Sequence, residues 1–543
     1  MKVNEKYIQF DKKPKLPFCH FNKRKKQYRT TVNNIDKVVE LYNKDIDNAP
    51  QRIKDIYNEV VDRKLRTKSL LENGPQRESG WLFEHQQLAR EIAEINDRFG
   101  FFYDTRTGKT IMSLQIIQDD IKENPHHKWL ILCPLILIEQ AWLPDATEFF
   151  PDLNIVNLHD STKKKRLKKF TQDANVYIQN IESFVNYRQY IEELGIHGCI
   201  VDESSTMKSH KAKFAKQAVE FSQKVKRWYL LSGVPAPNGE HEYYRQLQSI
   251  DPYAIHHSYT QFKEYFFVNV SFSDQFEKLE IREDKKDELY ELLREYTVYV
   301  DKEDVLNTPG REFKPVEIEM PKELKKQYDQ LRKELYLELG DVEIITPSAG
   351  AKINKLNQLT SGFVIDTAAV KHNKYNEDKM QESYLLSTYK FDRLDELLRS
   401  IGDEQAIIWC YYHKEFEVLE QRIDCVCVYG KTNIKEKNEN LKLFKEGKVK
   451  YLVANPASCD KGLTLTNAHH AIYFSLNHSY ELFKQSMERI YGDVSKQKDK
   501  CTYHILIAKG TVDKAIYNSI TTKGNTSKAI LDHLKGGISN VKN

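Results

Sequence analysis

Long apolar runs are missing from this chain. No stretch approaches the roughly 20 consecutive apolar residues of a membrane-spanning helix, so no membrane partner is expected. The opening Met1-Lys2-Val3-Asn4-Glu5-Lys6 leads into no apolar signal core, and secretion is not expected either. Cysteine is sparse: eight residues in 543, dispersed, with no Cys-x-x-Cys pair. Cys133, Cys199 and Cys410 stand inside apolar strand-like runs, the setting of reduced core residues and not of a disulfide framework or zinc site. A surplus of one charge is missing too. Lys and Arg number 83 against 79 Asp and Glu, a formal net charge of +4, so nucleic-acid binding cannot rest on bulk charge. Two local runs, Lys23-Arg24-Lys25-Lys26 and Lys163 to Lys169, are able to neutralise phosphates. A lone charge run is more often a solvated loop or helix face.

What is present suffices for two to four domains. Hydrophobic residues make up 40% and charged residues 30%, with a mean hydropathy of −0.65, as in a soluble protein with real cores. Residues 1–75 are polar and Lys-rich, with several short amphipathic helices expected between Ile35 and Leu71. Over 76–257, the apolar runs Trp129 to Cys133, Val176 to Gln179, Cys199 to Asp202 and Trp228 to Ser232 alternate with helical patterns. Nearly continuous apolar strands separated by helices indicate a parallel sheet covered on both faces. Residues 258–395 read as a charged, mostly helical insertion, clearest over Asp284 to Glu295 and Lys322 to Leu339. Alternation returns over 396–543, with Ala406 to Cys410, Val426 to Val428, Tyr451 to Ala454, Ala471 to Phe474 and Thr502 to Ile507. The fold class is therefore α/β: two parallel-sheet lobes, a helical insertion between them and a small, mostly helical N-terminal segment. Ligands of such sheets bind beyond the carboxyl ends of the strands.

Chemistry-bearing residues fall at those ends. Phe101 to Asp104 reads as a strand running into Thr105-Arg106-Thr107-Gly108-Lys109-Thr110 and then a helix. A phosphate-binding loop needs this context. Gly108 allows close backbone approach, and the amides of Thr107 to Thr110 and the helix N-terminus face the anion. Lys109 reaches the β- and γ-phosphates, and the Thr110 hydroxyl ligates Mg²⁺. The second feature is Ile200-Val201-Asp202-Glu203, a buried strand ending in two acids. Asp202 is placed to hold Mg²⁺ and Glu203 to deprotonate the attacking water. Read alone, the pair is a weak signal, since acids after a strand are common as helix caps.

From about residue 80 to 520, these motifs and others in order resemble the superfamily-2 helicases, and among them the Swi/Snf-type DNA translocases. Phe83-Glu84-His85-Gln86 is similar to the glutamine motif that reads adenine. Cys133-Pro134-Leu135 with Trp142, Asn180 to Ser183, and Leu231 to Asn238 each match a family segment. Asp304 to Tyr328 and Lys355 to Leu359 resemble the segment joining the lobes. Ser458 to Ala468, which contains Gly462, resembles Gly-Gly-x-Gly-Leu-Asn-Leu-Thr. Gln485 to Arg489 resembles Gln-x-x-x-Arg, and Thr511-Val512-Asp513 the closing stretch. The resemblance implies two RecA-like lobes and an ATP hydrolase that uses ATP and Mg²⁺ and works as a monomer. Duplex, forked or branched DNA would be gripped by its phosphates. Gln86, Thr107, Gly108, Gly462 and Gln485 would line the nucleotide, and Arg489 would reach the γ-phosphate. The compact form is similar to bacteriophage and bacterial members, implying a cytoplasmic setting in a bacterial or phage-infected cell. The N-terminal segment would either contact DNA or a partner, or pack on the first lobe.

Several positions depart from the family pattern. Gly492 stands where a second arginine is usual, with Lys496 the nearest substitute. Cys459-Asp460 replaces two glycines, Val234 a threonine and Arg106 a glycine, and Ser204-Ser205 follow the acids. The first lobe reads as catalytically complete and the second as altered. A weakly hydrolysing nucleotide-dependent scaffold is thus the alternative to an active motor, with an RNA helicase a more distant one.

Overall fold

In the first lobe, seven parallel strands stand in the order Thr297–Val300, Arg98–Tyr103, Arg227–Leu231, Gly198–Val201, Trp129–Cys133, Val176–Asn180, Ile155–Asn157. The computed structural model describes the chain apart from residues 1, 5, 13, 15–18, 23–25, 43, 256–257, 271–277, 335, 340–341, 346–348, 366–382, 460–462, 493–499 and 535–543. The described chain forms two units, Met1–Leu306 with Asn525–Asn543, and Asn307–Gly524. Side chains alternate across a strand, so the run Phe99 to Tyr103 feeds two cores. Phe99, Phe101 and Tyr103 pack with Leu88, Ile92, Met112 and Ile117 on one face. Phe102 packs with Phe184, Tyr243 and Leu247 on the other. Burying one such side chain contributes about 1.5–3 kcal/mol, which is why unbroken apolar runs settle in the middle of the sheet.

The second unit holds six parallel strands in the order Arg311–Ile318, Cys501–Ala508, His470–Tyr473, Ala406–Trp409, Tyr451–Ala454, Cys425–Val428. Ile407 and Trp409 face one core, and Ala406, Ile408 and Cys410 the other. Its end is fixed by a buried ion pair. Lys390 Nζ lies 2.8 Å from Asp513 Oδ2, with the two side chains 0% and 2% exposed. Asp513 also accepts from Thr360 Oγ1 at 2.6 Å and from the Ala508 amide at 3.0 Å. Asp513→Ala would strand the Lys390 ammonium without its carboxylate, so a loss of about 3–5 kcal/mol is expected in urea unfolding of the full chain.

Two readings change. The segment 258–395 is not simply helical: Thr297–Val300 joins the first sheet beside Arg98–Tyr103, and Arg311–Ile318 joins the second beside Cys501–Ala508. The helix expected over 322–339 ends at Glu334, and Tyr336–Leu339 pairs with Val342–Ile345 as a hairpin. The N-terminal segment carries an antiparallel four-stranded sheet, Lys2–Val3, Tyr7–Phe10, Gln27–Thr31, His20–Asn22, that its polar sequence conceals. The several short helices expected there are one short helix, Ile35–Leu41, and one of 23 residues, Gln51–Asn73. This segment packs on the first lobe. Asn33 donates to Asp251 at 3.0 Å, and Glu295 takes both Lys37 and Lys64 at 2.8 Å. Among the described residues, no helix is long and apolar enough to cross a membrane.

Candidate nucleotide site

Three motifs of the first lobe leave the sheet at the carboxyl ends of three adjacent strands. The Gly-Lys-Thr loop follows Arg98–Tyr103, the Ser232-Gly233 turn follows Arg227–Leu231, and Asp202-Glu203 follows Gly198–Val201. Their proximity is a product of strand order, since the residues lie far apart in the chain. A Cβ on Gly233 would stand 3.4 Å from the Thr105 amide and 3.5 Å from Asp104 Oδ1, so the turn lies in contact with the loop.

The loop is held from below. Thr107 Oγ1 donates to the Asp104 carbonyl at 2.8 Å, and Lys109 Nζ folds back on the Tyr103 and Asp104 carbonyls at 3.0 and 3.1 Å. Gly108 begins the helix Lys109–Glu123 with φ +76°, a left-handed conformation that favours glycine. Space demands glycine as well, because a Cβ there would overlap the Gln86 amide. Gln86 Nε2 donates to the Thr107 and Gly108 carbonyls at 3.3 and 3.2 Å, and its Oε1 accepts from the Phe83 amide at 3.0 Å. Both polar ends of Gln86 are thus engaged inside the protein, making it a strut beneath the loop. His85 Nε2 adds a contact to the Thr107 carbonyl at 2.8 Å. Thr110 lies one residue into the helix, half-buried.

Asp202 is buried, and Glu203 beside it is partly exposed. Burial, and then the like charge of Glu203, push the Asp202 carboxyl up to about 6, against the Lys109 ammonium and a hydrogen bond from Trp142 that hold it down. The Lys109 charge thus acts on Asp202. Trp142 Nε1 donates to Asp202 Oδ2 at 3.1 Å from a π-helical turn, Ile138–Trp142. Such turns often mark functional positions. Trp142 belongs to the family motif, but no sequence signal reveals its task. A second unforeseen link runs from the acid turn to the Ser232 to Asn238 segment: Ser204 Oγ donates to Gln246 Oε1 at 2.9 Å, and Gln246 Nε2 to the Pro235 carbonyl at 2.9 Å.

Strain collects here. Only three described non-glycine residues have positive φ, and two of them, Arg106 at 66° and Glu203 at 57°, belong to this site. Each costs of order 1–3 kcal/mol, the kind of outlier that clusters at functional positions. Arg106 stands where the family pattern has glycine, so Arg106→Gly is expected to raise the unfolding free energy by about 1 kcal/mol, read as a higher denaturant midpoint.

In the second unit, Gln485 lies on the helix Tyr480–Met487, its Nε2 3.4 Å from Glu481 Oε1. Arg489 follows in the turn after that helix, only 7% exposed, and its Nη1 donates to the Leu463 carbonyl at 3.2 Å. Cys459 and Gly492 are buried. Gly462, Asp460 and Lys496 lie outside the described residues.

Comparison with known proteins gives two family matches: the SNF2-related domain over residues 100–383 and the helicase conserved C-terminal domain over 389–491. Protein p41 of Acyrthosiphon pisum secondary endosymbiont phage 1 is 24% identical over 422 residues, covering 75% of this chain and 88% of that protein. The DNA annealing helicase and endonuclease ZRANB3 of Mus musculus is 23% identical over 472 residues, 83% of this chain but only 39% of that protein. Among solved structures, the Sulfolobus solfataricus SWI2/SNF2 ATPase core in complex with dsDNA is similar over 87% of this chain and 96% of that one, at 19% identity and a TM-score of 0.37. The first of the family matches alone spans more than half of the sequence, and on that extent the chain belongs to the SNF2-related family of helicase enzymes, which hydrolyse ATP.

Proposed function

We propose that this protein couples ATP hydrolysis to movement on, or remodelling of, duplex or branched DNA, working as a monomer that grips the phosphate backbone. The observation that carries the reading is the convergence of the Gly-Lys-Thr loop, the Ser232-Gly233 turn and the acid pair at three neighbouring strand ends. DNA enters through the relatives: ZRANB3 is a DNA annealing helicase, and XPB2 of Sulfurisphaera tokodaii, 26% identical over 242 residues, a DNA 3′-5′ translocase.

In this reading Lys109 binds the β- and γ-phosphates, and the amides of Thr107 to Thr110 cradle them. Glu203, half-exposed where Asp202 is buried, takes the proton of the attacking water. Arg489 meets the charge developing on the γ-phosphate. Gln86, Gly462 and Gln485 complete the nucleotide-binding set. The donors fit Mg²⁺, a hard cation that takes oxygen ligands: the Thr110 hydroxyl and the Asp202 carboxylate. When bound, it would screen the phosphate charge. Asp202 meets this need, since its burial disfavours ionisation until a cation compensates it.

A pH dependence follows with a definite sign. The Asp202 carboxyl is raised from its ordinary value to about 6, so the charged carboxylate costs stability above that point. The cost disappears as pH falls below the unfolded value of about 4. Protons and Mg²⁺ compete for the same oxygens. Mg²⁺-dependent nucleotide affinity is expected to fall up to about tenfold per unit below pH ~6, and Asp202→Asn should flatten that profile in a fluorescent-nucleotide titration.

The deciding experiment is steady-state ATP hydrolysis without nucleic acid and with single-stranded, duplex or forked DNA, or RNA, using Lys109→Ala as control. Strong stimulation by duplex or forked DNA, lost in the variant, is the expected result. Nucleotide binding without turnover on any DNA would overturn it in favour of a nucleotide-dependent DNA-binding scaffold. That second reading draws on Gly492 in place of the second arginine. Stimulation by RNA alone would make the protein an RNA helicase.

A further inference from the structure

At the amino ends of the first sheet's strands, the opposite end from the phosphate loop, three side chains with metal-ligating atoms meet. Asp120 lies near the end of the helix Lys109–Glu123, His127 just before the strand Trp129–Cys133, and His197 just before Gly198–Val201. Their ligand atoms lie within 4.8 Å of one another. His127 Nδ1 is 3.0 Å from Asp120 Oδ2, and the two imidazoles stack with centroids 3.4 Å apart and planes 10° from parallel. Two buried atoms of the cluster, Asp120 Oδ1 and His197 Nε2, have no hydrogen-bond partner among the described residues. Asp120 Oδ1 has only an ion pair, to Arg227 Nη1 at 3.6 Å, whereas a buried ring nitrogen left unmatched, as in His197, costs about 1–3 kcal/mol, and the nucleotide reading gives neither residue a task.

We propose that Asp120, His127 and His197 form a binding site for a transition-metal dication of the Zn²⁺ type, separate from the Mg²⁺ position of the nucleotide site. Two imidazole nitrogens and one carboxylate oxygen are a ligand set that suits Zn²⁺. Tetrahedral ligands at ~2.0–2.1 Å stand about 3.3–3.4 Å apart, so His127 Nδ1 and Asp120 Oδ2, now 3.0 Å apart in a hydrogen bond, need part by only a few tenths of an ångström for a metal to take the place of the proton between them. An outer support exists: Trp129 Nε1 donates to Asp120 Oδ2 at 2.8 Å and fixes the carboxylate. The Asp120 side chain is 1% exposed and that of His127 28%, so the ion enters over the imidazoles and ends on the buried oxygen.

Two features oppose the ion and set its demands. Arg227 Nη1 stands 3.6 Å from Asp120 Oδ1, with Lys226 beside it, but Asp97 lies 3.5 Å from Arg227 and 3.9 Å from Lys226 and offsets their charge. Lone pairs of parallel rings do not converge, so one imidazole must turn about χ2 before both coordinate. A bound ion would staple the far end of the helix whose first residues are Lys109 and Thr110 to two strand starts.

The test is titration of the chelator-treated full chain with Co²⁺ and with Zn²⁺ in excess Mg²⁺, following the visible Co²⁺ absorption and the melting temperature. One equivalent of tightly bound Co²⁺ and a rise in Tm with Zn²⁺ are expected. His127→Gln and His197→Gln, at half-exposed positions that spare the Trp129–Asp120 bond, should each weaken binding by more than about tenfold and abolish the Tm rise. Absence of stoichiometric binding overturns the proposal, as does binding of equal affinity in both variants, which would place the ion on other histidines or cysteines. Neither readout involves ATP turnover, so failure here is distinct from failure of the translocase reading.

Discussion

Glu203→Gln is expected to slow DNA-stimulated ATP hydrolysis by about 10²–10⁴-fold, the contribution of a positioned general base, while nucleotide affinity stays within a few-fold. The amide keeps the size and hydrogen-bonding reach of the carboxylate but cannot accept the proton from water. Geometry supports assigning this role to Glu203 and not to its neighbour. Asp202 is buried and has one oxygen committed to Trp142 and the other to the Glu203 amide at 3.0 Å. Glu203 is the more exposed acid, turned outward by a left-handed backbone. The change also removes the like charge that helps raise Asp202, so Mg²⁺-dependent binding should persist to lower pH in the variant. Single-turnover hydrolysis measured beside fluorescent-nucleotide binding checks both parts. Wild-type turnover in the variant would remove Glu203 from the chemistry.

Arg489→Ala is expected to lower turnover by about 10³-fold or more, within the range of an arginine finger, with little change in nucleotide affinity. In the role proposed for Arg489, Gly492 at the second arginine position would leave the burden on one guanidinium unless Lys496 substitutes. Its Nη1 bond to the Leu463 carbonyl fixes its direction in advance, and a pre-set fork gives up little entropy when it meets an anion. Removing it also deprives a buried carbonyl of its donor, at about 1–3 kcal/mol, so Arg489→Lys, which keeps the charge but loses the fork, separates catalytic from structural loss. A full rate in Arg489→Ala, with Tm lowered, would identify the residue as a strut of the second lobe.

The sequence made some of this legible and hid the rest for physical reasons. Trp129 to Cys133 and Ala406 to Trp409 are readable because a strand buried on both faces must be apolar throughout. Gly108 is readable because the loop demands both its φ and its missing Cβ. Edge strands are another matter. Arg311–Ile318 places Glu312, Lys314, Pro315 and Glu317 on the rim of its sheet, where a strand pairs on one side only and tolerates charge and proline, so it reads as linker. Thr297–Val300 follows directly on a strong amphipathic helix, and its partner, Arg98–Tyr103, lies far back in the chain. Pairing of that kind leaves no local trace. The N-terminal strands are short, and only Ile8 and Phe10 of Tyr7–Phe10 are buried, too few positions for an alternation to stand out. Trp142 was visible as a letter of a motif, but its bond to Asp202 depends on one π-helical turn that nothing in the sequence announces.

Gln86 bears on selectivity. A side chain that idles until its ligand arrives can reject the wrong base by a wide margin, because a mismatch leaves buried polar groups unpaired. Gln86 is not idle: its carbonyl serves the Phe83 amide and its amide serves the loop carbonyls. A base would gain from it only the difference between new bonds and those surrendered, and each such bond is worth about 0.5–1.5 kcal/mol net. In the nucleotide-binding role proposed for Gln86, choice among nucleoside triphosphates would be an exchange, with preferences of several-fold to about tenfold and not of orders of magnitude.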